Sequence, residues 1–348
     1  MELKNHTQFT VQHWLTLSPK GAKLGNVLIK GQFNIRVDAS NSVTLSVPIP
    51  APILAQDTFF GEPNESSVKI ESDFSPLKPT TDITANATAY APNQVPLPQW
   101  TAGIHLEGLP PAMLNVYGPR YWERVLMVPV YSEAEPCTHV PIRFENAFGG
   151  YCAGTDMVSE FNPIGKGLLP VGEPLKNQDV HQLEWADHRI DETQARKPQP
   201  AAGFGVCHRS WQPRLSYAGT YDKVWLENHH PLLPQDFDRR HYLAGCERLR
   251  PKAFLKGGES ITFTHLDPHH PVVVVTVPEY QFLWEIQLAG GEKGVGQCHL
   301  DTLHFDIEQG LHNGVLTAIW KGVWPAQELP KKIRAIQLRS KGREKANG

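Results

Sequence analysis

The 348 residues carry 33 Lys and Arg against 36 Asp and Glu, a formal net charge of -3, so no net field draws nucleic acid or an anionic membrane to the chain. The length exceeds the roughly 250–300 residues at which single cores stop growing, which predicts two lobes or one elongated β-rich body. The longest purely aliphatic run, Val272–Val275, is far short of the ~20 residues of a spanning helix, and Met1–Thr10 has no apolar signal-type stretch, so a cytoplasmic protein is expected. Five scattered cysteines, Cys137, Cys152, Cys207, Cys246 and Cys298, form no C-x-x-C pair and read as reduced thiols rather than a disulfide framework or zinc knuckle.

In chain order, Val27–Val37 and Val43–Ile49 alternate apolar positions around the turn-forming Asp38–Ser42, a hairpin pattern. Frequent prolines between Pro48 and Pro98 leave room only for short edge strands and ordered turns, such as Ser67–Phe74 and Thr81–Tyr90. Ile83, Ala85, Ala87 and Ala89 alternate with polar residues, as in a strand packed closely under something bulky. Strand pairing is predicted at Gly103–Glu107 with Leu114–Val116, and again at Arg124–Val130. Short helices are expected only within Leu175–Asp191 and Phe237–Cys246. Lys252–Leu255, Ile261–His265 and Val272–Val277 read as a meander, and Phe282, Trp284, Ile286 and Leu288 alternate cleanly. Leu303, Phe305 and Ile307 are expected to pair with Leu316, Ala318 and Trp320 across an Asn313-Gly314 turn, before a basic, frayed tail from Lys331 to Gly348. The predicted class is mainly β: antiparallel sheets, sandwich or barrel-like, with long ordered Gly/Pro/Trp-rich loops and few short helices. The expected division is an N-terminal lobe over 1–145, a loop region with a C-terminal sheet over 146–330 that would make one continuous body with it or a second lobe, and the tail over 331–348.

The stretch Gly203–Asp238 fits neither period. Gly203-Phe204-Gly205, Trp211, Arg214, Gly219-Thr220-Tyr221-Asp222, Trp225 and Asp236-Phe237-Asp238 supply turn chemistry at irregular intervals, so the segment is specified turn by turn. Rigid loops bearing Trp, Tyr and Arg are frequent recognition surfaces. Trp211, Arg214, Tyr221 and Trp225 therefore lead a set of partner-binding candidates that also includes Gly219, Thr220, Asp222, Asp236, Phe237, Asp238, Phe148 and Asn162. The competing reading is structural, with the aromatic residues pinning the loops to a core.

Catalytic arrangements are weakly marked. His229, His230, His241, Asp236 and Asp238 offer metal-ligand chemistry without a compact ligand spacing, and Asp236 and Asp238 are equally suited to turn capping. Asn162–Gly167 lacks the full phosphate-loop frame, Ser210 and Ser216 lack a nucleophile elbow, and Cys207 and His208 are mere sequence neighbours. No cofactor or metal is expected. A metal-assisted hydrolase using the His229–His241 region stands as the alternative, with a toxin- or immunity-associated accessory protein as a third reading.

Several separated motifs carry a resemblance over nearly the whole chain. They are Lys30-Gly31, Glu71-Ser72-Asp73-Phe74, Lys78-Pro79, Thr81-Asp82, Ala89-Tyr90-Ala91-Pro92, Gly118–Trp122, Phe144–Gly150, Asn162–Gly167, the Gly203–Asp238 block, Gly257-Gly258-Glu259 and Leu300–Leu303. In this order they resemble a bacterial family filed as a domain of unknown function and associated with type VI secretion. The resemblance implies a non-enzymatic adaptor or chaperone that binds a toxic effector and helps load it onto the spike. Its implied partners are the effector's delivery region and the spike protein.

Overall fold

The computed structural model describes residues 2–38, 40–172, 175, 178–288, 291, 293–326 and 333–340. Its centre is a sheet of eight strands. Along the main path these are His139–Ile142, Asp82–Tyr90, His299–Ile307, Val315–Pro325, Lys23–Val37 and Thr10–Leu17, with the short Val43–Leu45 and Ile49–Pro50 also paired to Lys23–Val37. Asp82–Tyr90 runs parallel to His299–Ile307, and the other pairs are antiparallel.

Register gives this large sheet two faces of different chemistry, because successive side chains point to opposite sides. One row aligns Ile83, Leu303, Ala318 and Gly31, and the next aligns Ala85, Phe305, Leu316 and Phe33. The intervening rows align Asp82, Thr302, Ile319 and Lys30, then Thr84, His304, Thr317 and Gln32. The first face is apolar and continuous with the main core. The second is polar.

Two further sheets cover the apolar face. A five-stranded antiparallel sheet, ordered Leu183–Trp185, Ala112–Tyr117, Gln99–Leu106, Ser260–Thr264 and Val272–Thr276, brings Phe263 to 5.0 Å from Phe305 between ring centroids. A four-stranded sheet, ordered Glu2–Asn5, Ile333–Ser340, Phe282–Leu288 and Lys293–Gln297, brings Phe282 to 5.0 Å from Trp320. The alanines of Asp82–Tyr90 and the bare Gly31 make room for these rings: a Cβ at Gly31 would stand 2.4 Å from the Phe9 ring.

The architecture is mainly β, and no sheet among the described residues closes into a barrel. Most alternating segments become strands, with local departures. Pro48, which lacks an amide donor, interrupts Val43–Ile49 and leaves Val43–Leu45 and Ile49–Pro50. Arg124–Val130 is the tip of a hairpin, Trp122–Val125 with Val128–Tyr131, folded at Leu126 and Met127, whose φ values are 49° and 69°. Lys252–Leu255 is not a strand; the Leu255 amide donates to Thr81 Oγ1 instead of a ladder. In Leu175–Asp191 the regular element is a strand, Leu183–Trp185, and Phe237–Cys246 contains only the 3-10 turn Arg239–Tyr242. Leu303 and Phe305 pair with Ala318 and Leu316 as expected, but a 3-10 turn at Leu311–Asn313 makes the connection. Of the expected tail, Ile333–Ser340 is a strand inside the four-stranded sheet rather than a frayed end, while Lys331, Lys332 and residues 341–348 lie outside the described residues.

Candidate functional site

The polar face of the large sheet is roofed by residues 50–80 and by the Gly203–Asp238 block with its continuation to Gly245. Charged groups fasten roof to floor. Lys30 Nζ lies 2.7 Å from Asp73 Oδ2, Lys78 Nζ 2.7 Å from Asp82 Oδ2 and Lys321 Nζ 3.2 Å from Asp301 Oδ2, and all six side chains are buried. Each carboxylate also accepts from a backbone amide: Asp73 from Leu54 N, Asp301 from Lys78 N, and Asp82 from both Ala244 N and Gly245 N. Burial alone would draw the Lys78 ammonium down, but Asp82, Asp301 and Glu71 outweigh it and hold the pKa above the ordinary range. Burial likewise opposes ionisation of Asp82, yet Lys78 and the two amides keep its pKa low.

His304 sits among these charges. Its Nδ1 is 2.8 Å from Thr84 Oγ1 and its Nε2 3.2 Å from Asn86 Nδ2, so Nε2 accepts and Nδ1 carries the proton. Burial, reinforced by Lys30, Lys69 and Lys78, pushes its pKa down to about 4. A cavity of about 180 Å³ lies between floor and roof, bounded by Lys30, Lys78, Lys321, His304 and Val206 among others.

Arg214 ties the block to the other part of the roof, the 50–80 segment. Its Nη1 is 2.7 Å from Glu71 Oε1 and donates to Cys207 O at 2.7 Å, while Nε donates to His241 O at 2.7 Å. Trp211 stacks edge-on against Phe144 at 5.4 Å. The expectation of exposed anchors at these two positions is corrected: Trp211 is 7 % and Arg214 5 % exposed. Both are inward-facing struts. The surrounding turns close as their chemistry requires. Gly219 has φ 81°, Thr220 N and Oγ1 donate to the two oxygens of Asp236, and Asp222 accepts from Trp225 N at 2.8 Å. Asp222 thereby caps Lys223–Asn228, an unexpected helix and the only α-helix among the described residues. Trp225 is half-buried, donating from Nε1 to Leu232 O at 2.8 Å, with Tyr221 against its ring. Phe237 packs on His241 and Tyr242, and Asp238 caps the next turn while pairing with Arg240.

What the block turns outward is a different set. Tyr221 is 53 %, Val224 60 % and Leu226 59 % exposed, and Leu215 is exposed in the preceding 3-10 turn. Three large apolar side chains are thus individually exposed within six residues of a well-pinned backbone. Tyr221 was legible as a candidate; Leu215, Val224 and Leu226 were overlooked because aliphatic side chains are ordinarily assigned to cores.

Phe148 and Asn162 lie elsewhere, fully buried. Phe148 packs against His181 at 5.3 Å, and Asn162 Nδ2 donates to Phe144 O and Phe148 O, folding Phe144–Gly150 around it. They support the chain beneath the surface and do not join the Tyr221 cluster. Beside them His181 Nε2 lies 2.6 Å from Glu184 Oε1, and burial brings the His181 pKa down to about 4. The histidines of the hydrolase alternative are dispersed: His230 packs on Trp225, and His241 Nδ1 meets Arg214 O. Among the described residues no group of three or more His, Cys, Asp or Glu stands where it could hold a metal ion. Burial pushes the Cys207 thiol up to about 12 and Cys246 to about 11, away from nucleophilic character.

The family model described as an uncharacterized protein conserved in bacteria, DUF2169, matches residues 20–320. The chain belongs to the DUF2169 family. The matched span contains the strands of the large sheet except Thr10–Leu17, which precedes it, and the end of Val315–Pro325, and it contains the whole block. No curated protein and no solved structure matches this DUF2169 chain.

Proposed function

We propose that this chain is a cytoplasmic protein-binding adaptor that holds a toxic effector and assists its loading onto the type VI secretion spike. The observation that carries the reading is the outward face of the block: Tyr221, Val224 and Leu226 exposed on a segment whose backbone is fixed by Asp222, Asp236 and Arg214. Exposed apolar groups on a rigid support recognise partners at low ordering cost. The motif resemblance to a family associated with type VI secretion supplies the partner class, an effector's delivery region together with the spike protein.

The test is co-purification of effector with variants of the adaptor. Tyr221→Ala combined with Leu226→Ala is expected to weaken capture at least about tenfold with an unchanged melting temperature, as for interface anchors. Trp211→Ala is expected to act through folding instead, lowering stability by about 3–5 kcal/mol. Undiminished capture by the Tyr221, Leu226 variant would overturn the assignment of this surface.

A further inference from the structure

A second cavity, about 380 Å³, opens on the far side of the block from the ionic floor. Its size falls in the range of roughly 300–1,000 Å³ typical of ligand sites. Gly203 and Gly205 line it, with Phe144, Trp185 and Tyr217 as aromatic walls and Arg248 and Arg250 among its polar groups.

The two glycines are the telling feature. Neither has positive φ, and a Cβ would stand 3.7 Å from Phe144 at position 203 and 3.8 Å at position 205, ordinary contact distances. Gly245, in the same lining, is different: a Cβ there would meet Ile83 O at 2.2 Å. Crowding therefore requires glycine at 245, whereas neither crowding nor backbone conformation requires it at 203 or 205. Between them Phe204 turns inward, fully buried against Trp185, and its carbonyl accepts from Ala85 N, fixing the segment to the sheet. The direct effect of glycine at 203 and 205 is to leave the cavity empty of side chain.

Charge indicates what fits. Three arginines and one carboxylate, Glu247, line the cavity. Arg214 is engaged by the partly buried Glu71, but Arg248 and Arg250 pair with Asp187 and Glu247, which stand largely in solvent. Exposed pairs of this kind are worth about 1 kcal/mol or less, so an incoming carboxylate can share or replace them. Arg248 also lies 4.6 Å from the Trp185 ring, placing a cation directly beside the aromatic wall.

We propose that this cavity is a peptide-recognition pocket that takes an aromatic side chain of a partner protein with a carboxylate next to it. The proposal rests on the reading of the chain as a protein-binding module and names the peptide chemistry that module recognises. Aromatic side chains supply the apolar area that anchors such contacts, and the arginine fork supplies direction toward the carboxylate.

The probe is a fluorescein-labelled peptide of sequence GFEEG, titrated against the purified chain, with GAEEG and GFQQG as comparators and hydrocinnamate as a free competitor. Saturable GFEEG binding is expected, each comparator binding about tenfold weaker or worse. Gly205→Leu, which places a side chain in the cavity without backbone strain, is expected to abolish binding. Arg248→Gln with Arg250→Gln is expected to weaken it about tenfold or more, with melting temperature little changed because the acidic partner of each pair stands largely in solvent and glutamine retains most of the side-chain length. The Arg248, Arg250 variant keeps the test intact if Gly205→Leu fails to fold. Absence of GFEEG binding at millimolar concentration, equal binding of the three peptides, or undiminished binding by these variants would overturn the proposal. Hydrocinnamate competing as strongly as unlabelled GFEEG would overturn it in favour of a small-molecule pocket. The titration uses neither effector nor spike, and the Tyr221, Leu226 variant is expected to bind GFEEG normally. Failure here is thus separable from failure of the effector-capture experiment.

Discussion

The two faces of the large sheet are closed by different means. On the apolar face, rows of alanine, leucine and phenylalanine meet other sheets, and any side chain of the right volume contributes. On the polar face, Lys30, Lys78, Lys321 and Arg214 are removed from water against Asp73, Asp82, Asp301 and Glu71. Buried pairs gain little net stability over apolar packing, but losing one partner strands a charge. Their visible product is geometric: each carboxylate of the three lysine pairs also fixes backbone amides, so loops without a ladder acquire defined positions. Apolar packing closes one face, and charge gives the other its register.

Breaking a floor pair gives the largest expected effect. Asp82→Ala removes the nearest counter-charge of the buried Lys78, leaving Asp301 and Glu71, and strips two amides of their acceptor, and is expected to cost about 3–5 kcal/mol in chemical denaturation. A loss below about 1 kcal/mol would mean that the polar face is closed by packing after all.

The pH response sharpens the same contrast. His304 has a folded-state pKa of about 4 against 6.5 unfolded, so the unfolded chain takes up a proton that the folded chain refuses. The stability contribution is complete above pH 6.5 and is lost as pH falls toward 4, by roughly 3 kcal/mol at about 1.4 kcal/mol per unit. His181, in the Arg120–Glu184 cluster, follows the same sign and window. Denaturation midpoints measured between pH 7 and 4 are expected to fall for the unaltered chain, and His304→Gln is expected to make that slope measurably shallower. An identical slope in His304→Gln would locate the acid sensitivity elsewhere.

The smallest effect belongs to the solvent side of the roof. Asp238 and Arg240 form a partly solvated pair within one turn, and Asp238→Ala is expected to change stability by less than about 1 kcal/mol, chiefly through the lost cap. A larger loss would show that outer turns and inner pairs act as one unit.

The apolar face was legible because its signal is local: Ile83, Ala85, Ala87 and Leu303, Phe305 announce their strand and its inward side by alternation alone. The polar residues between them carried the complementary signal, since Asp82, Thr84 and Lys30 hold the alternate positions of the same strands. That signal was visible as alternation but not as a charge network, because Asp73, the partner of Lys30, comes from the roof and not from a neighbouring strand. Arg214 illustrates the limit well. Beside Pro213 and Leu215 it reads as a loop arginine; only the arrival of Glu71, Cys207 and His241 makes it a strut. The strand Ile333–Ser340 escaped notice because basic residues within it resemble a solvated tail, whereas its place in the sheet is set by Phe282–Leu288 and Glu2–Asn5.

The antiparallel register that joins Lys23–Val37 to Val315–Pro325 also constrains how the molecule is born. A ribosome working from the amino end must pass Val315–Pro325, far downstream of Val37, before the long early strand can meet this neighbour. Until then one of its edges stays unpaired, a template for association with other nascent chains. Such distant pairing slows folding, because closure of a very large loop precedes its reward.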